Sequence, residues 1–154
     1  MIKNSGKFNG ARLKALEARI RAIGKKKVVV GVPASTNEVR EDGLSNATIA
    51  VAHEFGVPEH IPERSFLRST LGENKDKAAG LLIQELKSDI SQGDFSGRAL
   101  AIVGENLSVV VKRKIQSGIS PALDSKTVKR KRSSKPLIDT GNMLQSITYE
   151  VRDK

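Results

Sequence analysis

The chain has 154 residues, with 27 Lys/Arg against 17 Asp/Glu for a formal charge of +10, and only 38 % of it is hydrophobic, below the ~45–50 % usual for globular domains. That length suits one domain with a modest core, and four Phe, one Tyr and no Trp make that core aliphatic. The lack of Cys excludes disulfides, thiolate metal sites and a cysteine nucleophile, two His are too few for a three-imidazole zinc site, and no stretch approaches the ~18 apolar residues of a membrane-spanning helix.

MIKNSGKFNG has no apolar stretch after its charges, so a signal peptide is not expected and the chain reads as soluble and intracellular. Asn9 is placed to cap a first helix with Leu13, Leu16, Ile20 and Ile23 on one face, and Gly24 stops it. VVVGVP at 28–33 is a β-branched run closed by Pro33, a strand with both faces nearly covered. Residues 34–45 show no periodicity and read as a polar loop. Ser45 or Asn46 opens a short helix, NATIAVAHEF, which Gly56 ends. Pro58 and Pro62 then force an extended elbow. A longer helical pattern starts near Phe66 and runs to Ile90, with Gly72 and ENKDK as points of interruption.

Ser96 is the expected cap of a third long helix presenting Leu100, Val103, Leu107, Val110, Val111 and Ile115 on one face up to Gly118. Asp124 or Ser125 can cap a brief helix in KTVKRK, whereas KRKRSSK has no apolar position and is expected to be mobile. Asp139 or Thr140 signals a last helix turning Met143 and Leu144 inward. The alternation of Ile147, Tyr149 and Val151 with polar neighbours then predicts a closing strand. Two strands at opposite ends of a chain are stable only if they pair under covering helices, so 28–32 is expected to pair with 147–151. The predicted fold is α+β: a small antiparallel sheet from strands near the N-terminus and the C-terminus, packed against three or four helices, with a long mobile basic loop at 126–135.

Charge is unevenly placed. Residues 1–27 carry nine Lys/Arg against Glu17, 28–111 carry seven against twelve acidic residues, and 112–136 again carry nine against Asp124. An acidic middle between two basic stretches points to a polyanion nearby or to self-association of unlike patches. Lys126, Lys129, Arg130, Lys131, Arg132 and Lys135 fall within ten residues, enough for non-specific phosphate contact. Without interleaved aromatics they do not form a base-stacking platform, and a solvated charged loop is the plain alternative.

Catalytic patterns are missing. His53-Glu54 begins like H-E-x-x-H, but position 57 is Val and His60 lies past Gly56 and Pro58. Neither G-x-x-x-x-G-K-[ST] nor G-x-S-x-G occurs, and the paired carboxylates lie in loops. No enzyme activity and no cofactor are expected.

Two segments carry a resemblance. AHEFG at 52–56 followed by IPERSFLR at 61–68 resembles a signature of the tail-completion and head–tail joining proteins of tailed bacteriophages, and KPLIDTGNMLQSITYEV at 135–151 resembles their C-terminal ending. The virion-morphogenesis proteins of Mu-like phages are similar. Ser65 departs from the Pro often found there. The resemblance implies a structural virion protein at the phage neck or tail end, made in the host cytoplasm. It would form a ring homo-oligomer, a hexamer in such families. Its implied partners are itself, the connector or adaptor, and the tail tube or tail terminator, with non-specific contact to genomic DNA and no membrane. On this reading Phe55, Ile61, Pro62, Arg64, Phe66, Leu67, Leu137, Ile138, Asp139 and Gly141 form the subunit or partner interface, and the six cations of 126–135 contact polyanion or line the ring lumen. Phe66 and Leu67 could equally enter the subunit core. A small basic nucleic-acid-binding module is the rival reading.

Overall fold

The computed structural model describes residues 10–130 and 134–154, with the backbone but not the side chain of Arg130; Asn9, Lys131 and Arg132 lie outside the described residues. In chain order the elements are α1 (Gly10–Gly24), β1 (Lys26–Gly31), α2 (Asn46–Phe55), α3 (Leu67–Gln92), α4 (Arg98–Ser117), α5 (Ser125–Arg130), α6 (Asn142–Ser146) and β2 (Thr148–Asp153). The fold is α+β. β1 and β2 pair antiparallel from Lys26 opposite Asp153 to Gly31 opposite Thr148, so the first strand begins two residues earlier than its sequence pattern and the last one runs two residues further.

The amphipathic pattern of α4 makes it the centre of the molecule. Leu100, Val103, Leu107, Val111 and Ile115 are buried at the predicted three-and-four spacing, and α4 packs against α3 on one side and both strands on the other. Glycine at 104 permits that approach: a Cβ there would lie 2.5 Å from Tyr149 Cδ2 and 2.7 Å from Val28 Cγ2. Phe66, Val111, Ile115, Leu137, Met143 and Ile147 form the main cluster with Ala50.

Several local expectations are corrected. α3 runs unbroken through Gly72 and ENKDK, because one helical Gly costs only ~1 kcal/mol relative to Ala and much of the polar run faces solvent. Ser96 does not cap α4. Gly97, at φ 96, occupies that position, and the acceptor comes from α3, where Asp89 Oδ2 takes the Ala99 N–H at 3.0 Å. The 34–45 loop contains a 3-10 turn at Ala34–Thr36 and a bridge between Val39 and Ser45. The brief helix expected in KTVKRK forms as α5, with the Asp124 side chain accepting from Lys126 N at 2.9 Å, and only its overlap with the expected mobile loop, residues 126–130, is corrected. α2 matches its predicted bounds, and Ser45 Oγ accepts from Thr48 N at 3.1 Å.

α1 forms as predicted, yet its stripe is left uncovered: Leu13, Leu16 and Ile20 are 51 %, 36 % and 44 % exposed. An amphipathic helix ordinarily turns that stripe to a core. Here α1 meets the body through β1 and through the Arg19 guanidinium, 5.4 Å from the Phe95 ring centre.

Candidate functional site

The segment 52–68 folds into a clasp around one carboxylate. The first N–H groups of any helix lack intrahelical partners, and Phe66 at the start of α3 offers no side-chain cap. Glu54, buried in the last turn of α2, supplies it. Its Oε2 accepts from Phe66 N at 2.8 Å and Leu67 N at 2.9 Å, and its Oε1 from Arg68 N at 3.0 Å and Ser65 Oγ at 2.8 Å. Burial opposes the charge, but the amides of Leu67 and Arg68, the Ser65 hydroxyl and the Phe66 amide outweigh it and hold the Glu54 carboxyl below its ordinary range.

The chain between these helices is equally constrained. Gly56 adopts φ 74, and a Cβ would stand 2.9 Å from Glu63 N, so both conformation and space demand glycine. Val57 and Ile61 exchange backbone bonds of 2.7 and 2.8 Å, and Arg64 N donates to His53 O at 2.7 Å. Arg64 itself is buried; its Nε donates to Pro121 O at 2.7 Å and its Nη2 to Ala122 O at 3.2 Å, tying the elbow to the chain after α4.

The C-terminal segment meets this clasp. α6 packs on α2, and a cavity of about 100 Å³ is lined by Ile49 and His53 on one side and by Leu137, Asp139, Gly141 and Met143 on the other. A larger cleft of about 690 Å³ brings His53, His60 and Arg64 together with Asp124, Thr127 and Asp139. The two segments that carry the resemblance are therefore one spatial unit. Asp139 and Thr140 do not stand at the helix cap, which is Gly141 at φ 89. That angle is what calls for glycine at 141, since a Cβ there would meet only Gln145 Nε2, at 3.9 Å.

Exposure divides the expected interface residues. Phe66, Leu137 and Arg64 are buried inside the subunit, since they complete its core and clasp, and they have no surface to offer a partner. Leu67, Ile138, Asp139 and Gly141 are half-buried, the first two packed on the core cluster. Phe55, 59 % exposed, Ile61 and Pro62 do reach the surface and line a hollow of about 500 Å³ formed by residues 55–63. The Arg68 guanidinium lies 4.5 Å from the Phe55 ring centre. Of the basic group, Lys126 and Lys129 are exposed on α5, while Lys135 Nζ donates to Gln116 O at 2.5 Å.

The capping roles of Glu54 and Asp89 escape sequence reasoning. For Glu54 the trace is negative, a helix start without a cap residue of its own after an acid near the Gly-terminated end of α2; for Asp89 the nearby Ser96 conceals even that. Among the described residues there is no cluster of three His, Asp or Glu that could hold a metal ion, and no helix is long and apolar enough to cross a membrane. No protein-family model, curated protein or solved structure matches the chain.

Proposed function

We propose that this chain is a structural virion protein that forms a ring at the neck or tail end of a bacteriophage particle, completing the tail and joining it to the head connector. The observation that carries the reading is the meeting of 52–68 with 135–151 around α2, because the two stretches resembling tail-completion proteins act as one fold-determining unit. The mechanism is geometric: copies associate through surfaces the lone subunit leaves open. Those surfaces include the outer edges of β1 and β2, each paired with one strand only among the described residues, the stripe on α1, and Phe55. The role is structural and not catalytic. Native mass measurement of the purified chain, alone and mixed with tail tubes from its source phage, tests it. Closed oligomers or tube-bound chain support the reading; a monomer that ignores tubes and is missing from purified particles rejects it.

The basic 112–136 stretch, with Lys126 and Lys129 exposed on α5, favours a second reading as a non-specific nucleic-acid-binding module. It predicts duplex binding by the isolated chain that collapses between low and physiological salt.

A further inference from the structure

The molecule exposes two unlike surfaces of complementary chemistry. α1 exposes Leu13, Leu16 and Ile20, with Ile23 half-buried at the end of the same stripe, along a helix of fifteen residues that carries four Lys/Arg and a single carboxylate, Glu17. Its apolar stripe is flanked by Arg12 and Arg19 on one side and by Glu17, paired with Arg21 at 2.7 Å, on the other, and the helix keeps a net positive charge. The hollow at 55–63 is the converse: Phe55, Pro58, Ile61 and Pro62 make it apolar, Glu59 and Glu63 supply its charge, and no Lys or Arg lies within the segment. It is pre-shaped by Gly56 and the Val57–Ile61 bridge, which lowers the entropic cost of docking. Arg68 is engaged by Glu54, Glu63 and the Phe55 ring, so Glu59 carries the charge of the hollow that this cation does not neutralise.

We infer that α1 of one copy seats in the 55–63 hollow of the next copy. A subunit does not fill its own hollow. No residue of α1 lines it, and α1 is separated from β1 by Lys25 alone, where Lys154 N donates to Lys25 O and Lys154 Nζ to Gly24 O, both at 2.7 Å. Donor and receptor are different surfaces, so the contact is heterologous, and repeating it yields a closed ring or a filament. The inference rests on the assembly reading above and names the two faces that would meet.

The test uses complementary variants of the full chain. Leu13→Asp with Ile20→Asp spoils only the helix, and Phe55→Ser with Glu59→Lys spoils only the hollow. All four positions are exposed, so far-UV circular dichroism should match the parent, with melting lowered only slightly where Phe55→Ser removes the ring beneath Arg68; should either pair misfold, Lys14→Glu and Glu59→Lys serve as single-site replacements. In sedimentation experiments the parent forms species larger than dimers. Each variant alone stays monomeric, its association weakened by roughly tenfold or more. An equimolar mixture regains one intact junction and gives one-to-one dimers and nothing larger.

Monomers in the mixture overturn the docking. If the variants assemble like the parent, the docking fails and the assembly reading stands. If the parent is monomeric at millimolar concentration and missing from particles, both fail. A monomeric parent whose α1 instead binds phosphatidylserine-containing vesicles overturns the self-docking by assigning the stripe to a lipid surface.

Discussion

Arg68 holds Glu54 twice, through Nε to the carboxylate and through Nη2 to the backbone carbonyl, both at 3.0 Å. The Glu54 side chain is almost wholly buried while that of Arg68 is half exposed, so the guanidinium closes the clasp from the solvent side. Since Glu54 also receives three backbone N–H groups of the next helix, the end of α2 and the start of α3 behave as one piece. Asp89 repeats the device one helix later. It accepts Ala99 N, and Arg98 Nε donates to it at 2.7 Å.

Glu54→Gln should lower stability by about 2–3 kcal/mol, because charge-assisted bonds to buried donors are lost; urea midpoints measure it. The loss should shrink in acid. The folded-state carboxyl titrates below its ordinary value, so as pH falls the unfolded chain takes up the proton first. The stabilisation is complete well above the ordinary Glu value of about 4.3 and disappears as pH drops through the lower folded value. Parent and variant curves should converge there; curves that stay parallel would contradict the clasp.

Asp89→Ala should cost about 1–3 kcal/mol through the uncapped start of α4, whereas Ser96→Ala, at an exposed side chain, should stay within ~0.5 kcal/mol. The reverse order in thermal melts would restore Ser96 as the cap.

Gly104→Ala and Gly80→Ala should differ in sign. Each improves helix propensity by up to ~1 kcal/mol. At Gly80 nothing lies within 4 Å of the added Cβ, so stability rises. At Gly104 the methyl collides with the Tyr149 ring and Val28, and overpacking should leave a net loss of about 1–3 kcal/mol. Equal gains at both sites would show that α4 does not press on the sheet at that point.

Replacing Lys129, Arg130, Lys131 and Arg132 together with Ser should leave melting nearly unchanged but impair particle assembly or genome retention, if these cations face a polyanion in the ring. Infectivity titres of particles carrying the variant decide it, and normal titres would remove the basic segment from the mechanism.

Local signals were enough for much of the architecture. The three-and-four spacing of α4, a cap at Ser45 or Asn46, the Gly56 stop and the alternation after Ser146 are each read over a few residues, and the pairing of the chain ends follows because neither strand is stable alone. Within the candidate site, Ile61 and Pro62 could be placed on a Pro-stiffened elbow, and Phe55 at the end of the helix before it, from the chain alone. Which residues of that elbow turn outward could not. Phe66 went inside because it joins one cluster with Val111 and Ile115 of α4 and Met143 of α6, and Arg64 because two distant carbonyls accept it.

Periodicity reports that a face is apolar, never what covers it. The spacing that buries Leu100, Val103, Leu107, Val111 and Ile115 of α4 leaves the stripe of α1 uncovered, and only the tertiary structure separates the two cases. Nor does local sequence name a cap acceptor, because a helix start needs only an oxygen at hydrogen-bond distance, from anywhere in the chain. Glu54 and Asp89 supply those oxygens from neighbouring helices, and their parts were decided by packing.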